Sequence, residues 1–510
     1  MRTMGHVALA ALLLVGCPKP TESAPQAAAA KTTRGQLPAE AGLPARPDAI
    51  PFEPLTFEPP DPAQYRHELE GGIPLWVATS TEFPLVNIRM VFKGGRYLEP
   101  ADHTGLARMT GSQIRSGGSK SKTPEELDEA FDFLAAQVRT SIGDELAFAE
   151  VNCLKDNLDA CLDLFVEMVR EPRFDAGRTK VYKDGWLAQL AQRNDDASDI
   201  IAYEWNALLY GRDHWLGAIP TKSDVGNIDK ADMVALHKQI FHPGNLSIEV
   251  SGDITADAVK PLLEARFEGW AKGPDVADPP APTVEVKPGV YHVQKDIPQG
   301  KVRIGMRGIT RDDPDAIAVE VMNDILGGGG FTSRITKRVR SDEGLAYTAR
   351  SGFSNRVYFP GQFLAFTESK NETVAFATKI MMDEIARIRT EPVSTVELDT
   401  AKGALVETFP RTFESKAATL STFDDDERTG RDPGFWKSYR DTVSKVGTSD
   451  VTRVAERVLK PEEMVILIVG DWEPIAKGDL EGRASMKDLF GGEVTHLPLR
   501  DPLTDAPIGK

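Results

Sequence analysis

HPGNLSIEVSGDIT, residues 242–255, returns 218 positions later as KPEEMVILIVGDWE, residues 460–473. In each copy a Pro follows a helical stretch, an apolar strand comes next, and the strand ends in Gly-Asp: Gly252-Asp253 and Gly470-Asp471. A second pair, VNIRMVFKGGRYLEP (86–100) and GKVRIGMRGITRDDP (300–314), is offset by 214 and reads both times as a strand, a turn and a helical run. Two apolar strands can match by chance, but shared Pro and Gly-Asp punctuation at a nearly constant offset is hard to obtain that way. The chain therefore reads as two related halves of about 220 residues each.

Within each half, short strands such as 85–92 and 246–251 flank long helical stretches such as 124–136 and 175–192. The first of these helices is well signalled. Thr123 can cap it, Pro124 suits the first helical position, and Glu125 and Glu126 suit the first turn. A pattern that starts with strands, runs through helices and returns to a strand favours an α+β protein over a doubly wound parallel sheet. The expected architecture is two α/β sandwich halves, each with helices layered on a mostly antiparallel sheet. The Pro-rich stretch GPDVADPPAPTVEVKPG, residues 273–289, is the natural linker. It divides a domain at 51–272 from one at 290–475, and 476–510 forms a C-terminal extension.

The 510 residues carry a formal charge of −17, which argues against non-specific binding of nucleic acid. The first 17 residues differ from the rest: Arg2, then an apolar run over 7–15, then Leu14-Val15-Gly16-Cys17. The run is too short to span a bilayer and reads as a secretory signal ending in a lipobox, with Cys17 as the lipidated N-terminus. A plain signal peptide with a coincidental cysteine is the alternative. Residues 18–50, rich in Pro, Ala, Thr and Ser, read as a disordered tether. The expected location is the bacterial cell envelope, facing the periplasm. Pro18 and Lys19 supply no acidic retention signal, so the outer membrane is favoured. Cys153 and Cys161 lie where a strand runs into a helix, and their spacing leaves open both a disulfide and two buried free thiols.

GGRYLEPADHTGLARMTGSQIRSGGSKSKTPEEL, from Gly94 onward, resembles the opening of an insulinase/pitrilysin-type zinc peptidase, in which a Gly-rich turn leads to a helix bearing His-x-x-Glu-His. GGGGFTSRITKRVRSDEGLAY, residues 327–347, resembles the second-half signature of the same family. The resemblance spans about residues 60–475 and implies the family fold, one half of a peptidase clamshell. In that family two His on one helical face hold zinc, the Glu between them activates a water, and a Glu on a later helix is the third ligand. Here the motif positions read Arg108, Gly111 and Ser112, and the aligned third-ligand position is Gln189. An arginine is a fixed cation that cannot ligate zinc, and a glycine cannot accept a proton. The chain is therefore expected to hold no metal or other cofactor and to have no hydrolytic activity of its own. No other His pair stands at i, i+4. His237 and His242, five apart at a helix end, read as surface or helix-end residues, and His103 reads as lacking a carboxylate partner.

Arg340 and Tyr347 survive. In relatives this pair faces the zinc across the cavity and helps hold substrate backbone, with Gly328 and Gly329 in the adjoining loop. Phe331 departs from the small or Met-like residue many relatives have there. The resemblance is to the zinc-less partner of heterodimeric members, among them the mitochondrial processing peptidase. It implies a zinc-bearing paralogue as partner and extended peptides as substrates, taken up by strand addition. A peptide-binding or scaffolding envelope lipoprotein with no role in proteolysis is the competing reading.

Overall fold

The computed structural model describes residues 56–508, and the two repeated strands lie inside two separate six-stranded sheets. Cys17, the signal segment and the 18–50 tether lie outside the described residues. The first sheet holds β1 (Arg66–Leu69), β2 (Ile73–Thr79), β3 (Leu85–Lys93), β4 (Gln137–Ile142), β5 (Leu146–Leu154) and β6 (Leu246–Gly252), in the order β1-β2-β6-β3-β5-β4. The second holds β7 (Gly289–Gln294), β8 (Gln299–Arg307), β9 (Ala349–Ser354), β10 (Gln362–Lys370), β11 (Val465–Gly470) and β12 (Val494–Leu497), in the order β12-β7-β11-β8-β10-β9. Setting aside β1 and β12, the two orders are the same. In both, a parallel pair (β2 with β6, β7 with β11) joins antiparallel neighbours, and in the second sheet β12 adds a further parallel pair with β7. The duplication and the α+β class read from the sequence are the architecture.

The Gly-Asp punctuation has a steric cause. At Gly252 φ is +121°, and a Cβ would lie 2.1 Å from the Leu85 carbonyl oxygen. At Gly470 it would lie 2.8 Å from Asn371 Oδ1 and 3.1 Å from the Gly300 Cα. In both halves the strand end presses on the start of its antiparallel neighbour, and only glycine fits.

Helices cover one face of the first sheet: α1 (Leu106–Ser116), α2 (Pro124–Phe133) and α3 (Leu158–Arg170), with α4 (Ala176–Ala191) beside α1. Thr123 and Glu126 form a full capping box on α2, with Pro124 in the first turn. That helix ends three residues before the expected 136, because Ala135 turns to φ 52°. Asp175 caps α4, which runs within a residue of the expected bounds. Cys153 and Cys161 are buried free thiols.

The opposite faces of the sheets are covered by exchange. Helix α5 (Ala197–Tyr210) belongs to the first half in sequence but packs on β8 and β11 of the second. Its Ile201, Trp205 and Leu209 join Val465, Leu467 and Val469 in one apolar cluster. Trp205 Nε1 donates to Gln362 Oε1 at 2.7 Å. The equivalent helix of the second half, Lys416–Thr429, packs on β2 and β6 of the first, with Leu420 and Phe423 against Trp76 and Ala78. This second contact is more polar. Ser421 Oγ accepts from Arg89 at 3.0 Å and donates to the buried Glu249 at 2.6 Å. Neither half of the sequence is a closed body by itself. The C-terminal extension also crosses between them: β12 extends the second sheet, and beyond it Arg500 and Leu503 carbonyls accept from Asn194 and Lys222 of the first half.

His237 and His242 lie near a helix end as expected, but they are buried and not on the surface. His237 stacks on Phe241, hydrogen-bonds the Val169 carbonyl at 2.7 Å, and is pushed down to about 4 by burial.

Candidate functional site

The degenerate motif begins on a fitted helix start. Gly105, at φ +100°, would place a Cβ 2.1 Å from Trp186 Cη2, so the tip of the indole ring butts against the backbone. Glu99 Oε2 and Oε1 accept from the Gly105 and Ala107 amides at 3.0 and 2.8 Å, closing the N-terminus of α1 with a carboxylate. Burial raises that carboxyl above its ordinary range, against the opposing pull of those two amides.

From this helix Arg108 reaches α4. Its Nη2 donates to Gln189 Oε1 at 3.2 Å, and its guanidinium carbon sits 4.8 Å from the centre of a Trp186 ring. Burial raises the Tyr182 phenol above its ordinary range, against the pull of the neighbouring Arg108 and Ser112. Of the four positions named from the sequence, Arg108 and Gln189 are joined directly, and Ser112 stands with Arg108 beside the Tyr182 phenol. The gap a metal would fill is spanned by a guanidinium, a neutral amide, a hydroxyl and a phenol, none of which matches the His and carboxylate donors of a zinc site. Among the described residues no cluster of three His, Cys, Asp or Glu side chains is placed to hold a metal.

Gly111 is closed off in another way. A Cβ there would lie 2.4 Å from the Ile142 backbone nitrogen, and Thr140 Oγ1 donates to the Gly111 carbonyl at 2.6 Å. Helix α1 therefore lies directly on β4, in the space a general-base side chain would need. Tyr182 and Trp186 were not singled out in the sequence. Their signal was available, since 182, 186 and 189 share one face of α4 at i, i+4, i+7. His103, contrary to the sequence reading, does have carboxylate partners: Asp102 at 2.8 Å and Asp232 at 3.4 Å. Its pKa is raised chiefly by the Asp102 hydrogen bond. It makes no hydrogen bond to the Arg108 cluster among the described residues.

The second cluster is built on a wide helical turn, Lys337–Asp342, that follows the Gly-rich loop. Gly328 and Gly329 wind that loop tightly. A Cβ on Gly329 would lie 2.7 Å from the Asp324 carbonyl oxygen, and one on Gly328 would lie 2.8 Å from Asn323 Nδ2. The turn is pinned from behind by Arg334 paired with Glu397 and by Arg338 paired with the buried Glu384. The Arg334 guanidinium holds the Glu397 carboxyl down at about 2. On the outer side the Arg340 guanidinium lies between two rings, 4.4 Å from the Phe331 centroid and 4.3 Å from the Tyr347 centroid. Its Nη1 donates to the Tyr347 carbonyl at 3.0 Å. Phe331 is 65% exposed and Tyr347 80% exposed, so the stack faces solvent. No hydrogen bond or ion pair joins this cluster to the Arg108 cluster among the described residues.

Residues 227–405 match the family profile described as Peptidase M16 inactive domain. Over those residues the chain is similar to the inactive domain of M16-type peptidases. It is similar to the Non-peptidase homolog YmxG of Helicobacter pylori, 23% identical over 79% of this chain and 93% of that one. The solved peptidase M16 inactive domain from Pseudomonas fluorescens superposes with a TM-score of 0.71 at 24% identity, covering 80% of this chain and 98% of that one. The periplasmic protease PqqL from Escherichia coli gives a TM-score of 0.66 at 15% identity, with 85% of this chain spanning 49% of that one. These structural likenesses concern the fold. At the positions where the M16 family carries its zinc ligands and general base, this chain has Arg108, Gly111, Ser112 and Gln189.

Proposed function

We propose that this chain is the substrate-holding subunit of a divided zinc peptidase, with the metal on a paralogous partner chain and extended peptides of the cell envelope as substrates. The observation that carries the reading is the Phe331–Arg340–Tyr347 stack. A guanidinium clamped between two solvent-exposed rings is held in one orientation and is not consumed by a core. It can donate to a carbonyl whose negative charge grows during attack. Tyr347 stands two residues before β9, an edge strand whose only ladder partner among the described residues is β10, so a peptide could add to the sheet beside it. That this chain spans about half of PqqL is in keeping with one half of a clamshell. Cys17 would carry the lipid anchor and tether the body to the envelope, on the outer membrane.

Co-expression with zinc-bearing relatives and assay of peptide cleavage by each subunit and by the mixture tests this. Cleavage is expected only from the mixture, with Arg340→Ala and Tyr347→Phe each lowering kcat/KM at least tenfold. Full activity in the double variant, or purification only as a partnerless monomer, would favour the scaffolding lipoprotein instead.

A further inference from the structure

On the open face of the second sheet, one cross-strand row reads Leu467, Arg303, Phe366, Arg350 across β11, β8, β10 and β9. Helix α5 covers the Leu467 end of this face. Beyond the first turn of α5 a pocket of about 280 Å³ opens, walled by Ser198 and Ile201 of the helix and by Arg303, Thr348, Leu364 and Phe366 of the sheet. Arg303 makes no hydrogen bond or ion pair among the described residues, and burial alone lowers its pKa, with no neighbouring charge contributing. The nearby carboxylates already have partners other than Arg303. Glu368 and Lys301 also line the pocket, but they pair with each other, and Asp196 caps α5 by accepting from the Ser198 amide at 2.7 Å. Arg350, across Phe366, is exposed and also unpaired among the described residues.

A half-buried guanidinium with no protein acceptor has only water to donate to, and a carboxylate arriving from outside makes a stronger, charge-assisted pair in its place. The volume suits one side chain or one chain terminus and excludes a folded partner. Thr348, on the rim, directly follows Tyr347. We propose that this pocket is a subsite that takes a carboxylate carried by an extended peptide, with the Arg303 guanidinium as its hydrogen-bond donor and Phe366 as its apolar wall. The proposal rests on the substrate-holding reading above and adds to it a preference for acidic peptides.

The test is fluorescence anisotropy of the full chain with three labelled alanine-based hexapeptides: a C-terminal amide with one Glu, its Gln isostere, and an all-Ala peptide with a free C-terminus. At least one carboxylate peptide is expected to bind ten times or more tighter than the Gln amide, and which one does so tells whether a side chain or the terminus is bound. Arg303→Gln should erase the difference without lowering Tm, and Arg303→Lys should keep part of it. Equal binding of all three peptides, or a preference that survives Arg303→Gln, overturns the subsite. If binding is equal yet Arg340→Ala weakens all three, the subsite falls and the substrate-holding reading stands. If no peptide binds, both fall.

Discussion

Gly111 shows how far the site has moved from its family's chemistry. The sequence marks it as the position of a missing base. The structure adds that no side chain fits, because a Cβ would stand 2.4 Å from the Ile142 nitrogen of β4. Gly111→Ala is therefore expected to destabilise the protein by about 1–3 kcal/mol, the usual cost of overpacking a closed contact, read as a lower urea midpoint at unchanged slope. A variant as stable as the parent would show that β4 can yield. Arg108, Ser112 and Gln189 were legible because each stands at a motif position. The Tyr182 and Trp186 partners were not, since the motif that drew attention to this site has no place for them. Arg340 and Tyr347 were legible as a pair, but Phe331 was read only as a departure and turned out to be the second ring of the stack.

The elements with the clearest signals were those whose partners are local. The box at Thr123 and the strand at 246–252 follow from nearest neighbours in sequence. Helix α5, ASDIIAYEWNALLY, reads as a buried helix because its apolar residues run around much of its circumference. Nothing in it says which sheet it buries against, and it lies on that of the other half. Trp205 is fully buried in this crossing and hydrogen-bonds Gln362. Trp205→Ala should cost about 3–5 kcal/mol, as deletion of a large buried aromatic does. It should also loosen β8 and β11 in hydrogen exchange more than any strand of the first sheet. Equal loosening of both sheets would contradict the assignment of α5 to one of them.

Across the whole molecule the two crossings differ, and the difference makes stability depend on pH. Glu249, buried under the Lys416–Thr429 helix, is pushed up to about 7 by burial, with Asp424 adding to the shift against the pull of Arg89 and Ser421. Its contribution is present below pH 4.5, its ordinary value, and is lost as pH rises through about 7. His237, and His292 buried in β7, are pushed down to about 4, chiefly by burial. Their contribution is present above about 6.5 and is lost as pH falls through about 4. Glu249→Gln should therefore gain about 2 kcal/mol relative to the parent between pH 5 and pH 8, measured by denaturation at each pH. A pH-independent difference would mean that Glu249 ionises freely in the fold. None of this was visible in the sequence, where Glu249 and Asp424 are far apart and neither half announces what it lays on the other.

The helix exchange has a further meaning for how such a chain could arise. Two copies of one unit, each lending the same arm to its twin, have the connectivity of an arm-swapped homodimer. The stretch at 273–289 then acts as a splice that made an obligate pair into one polypeptide. A lone copy would leave a sheet face bare, so the smallest self-sufficient ancestor of this fold is the couple and not the single unit.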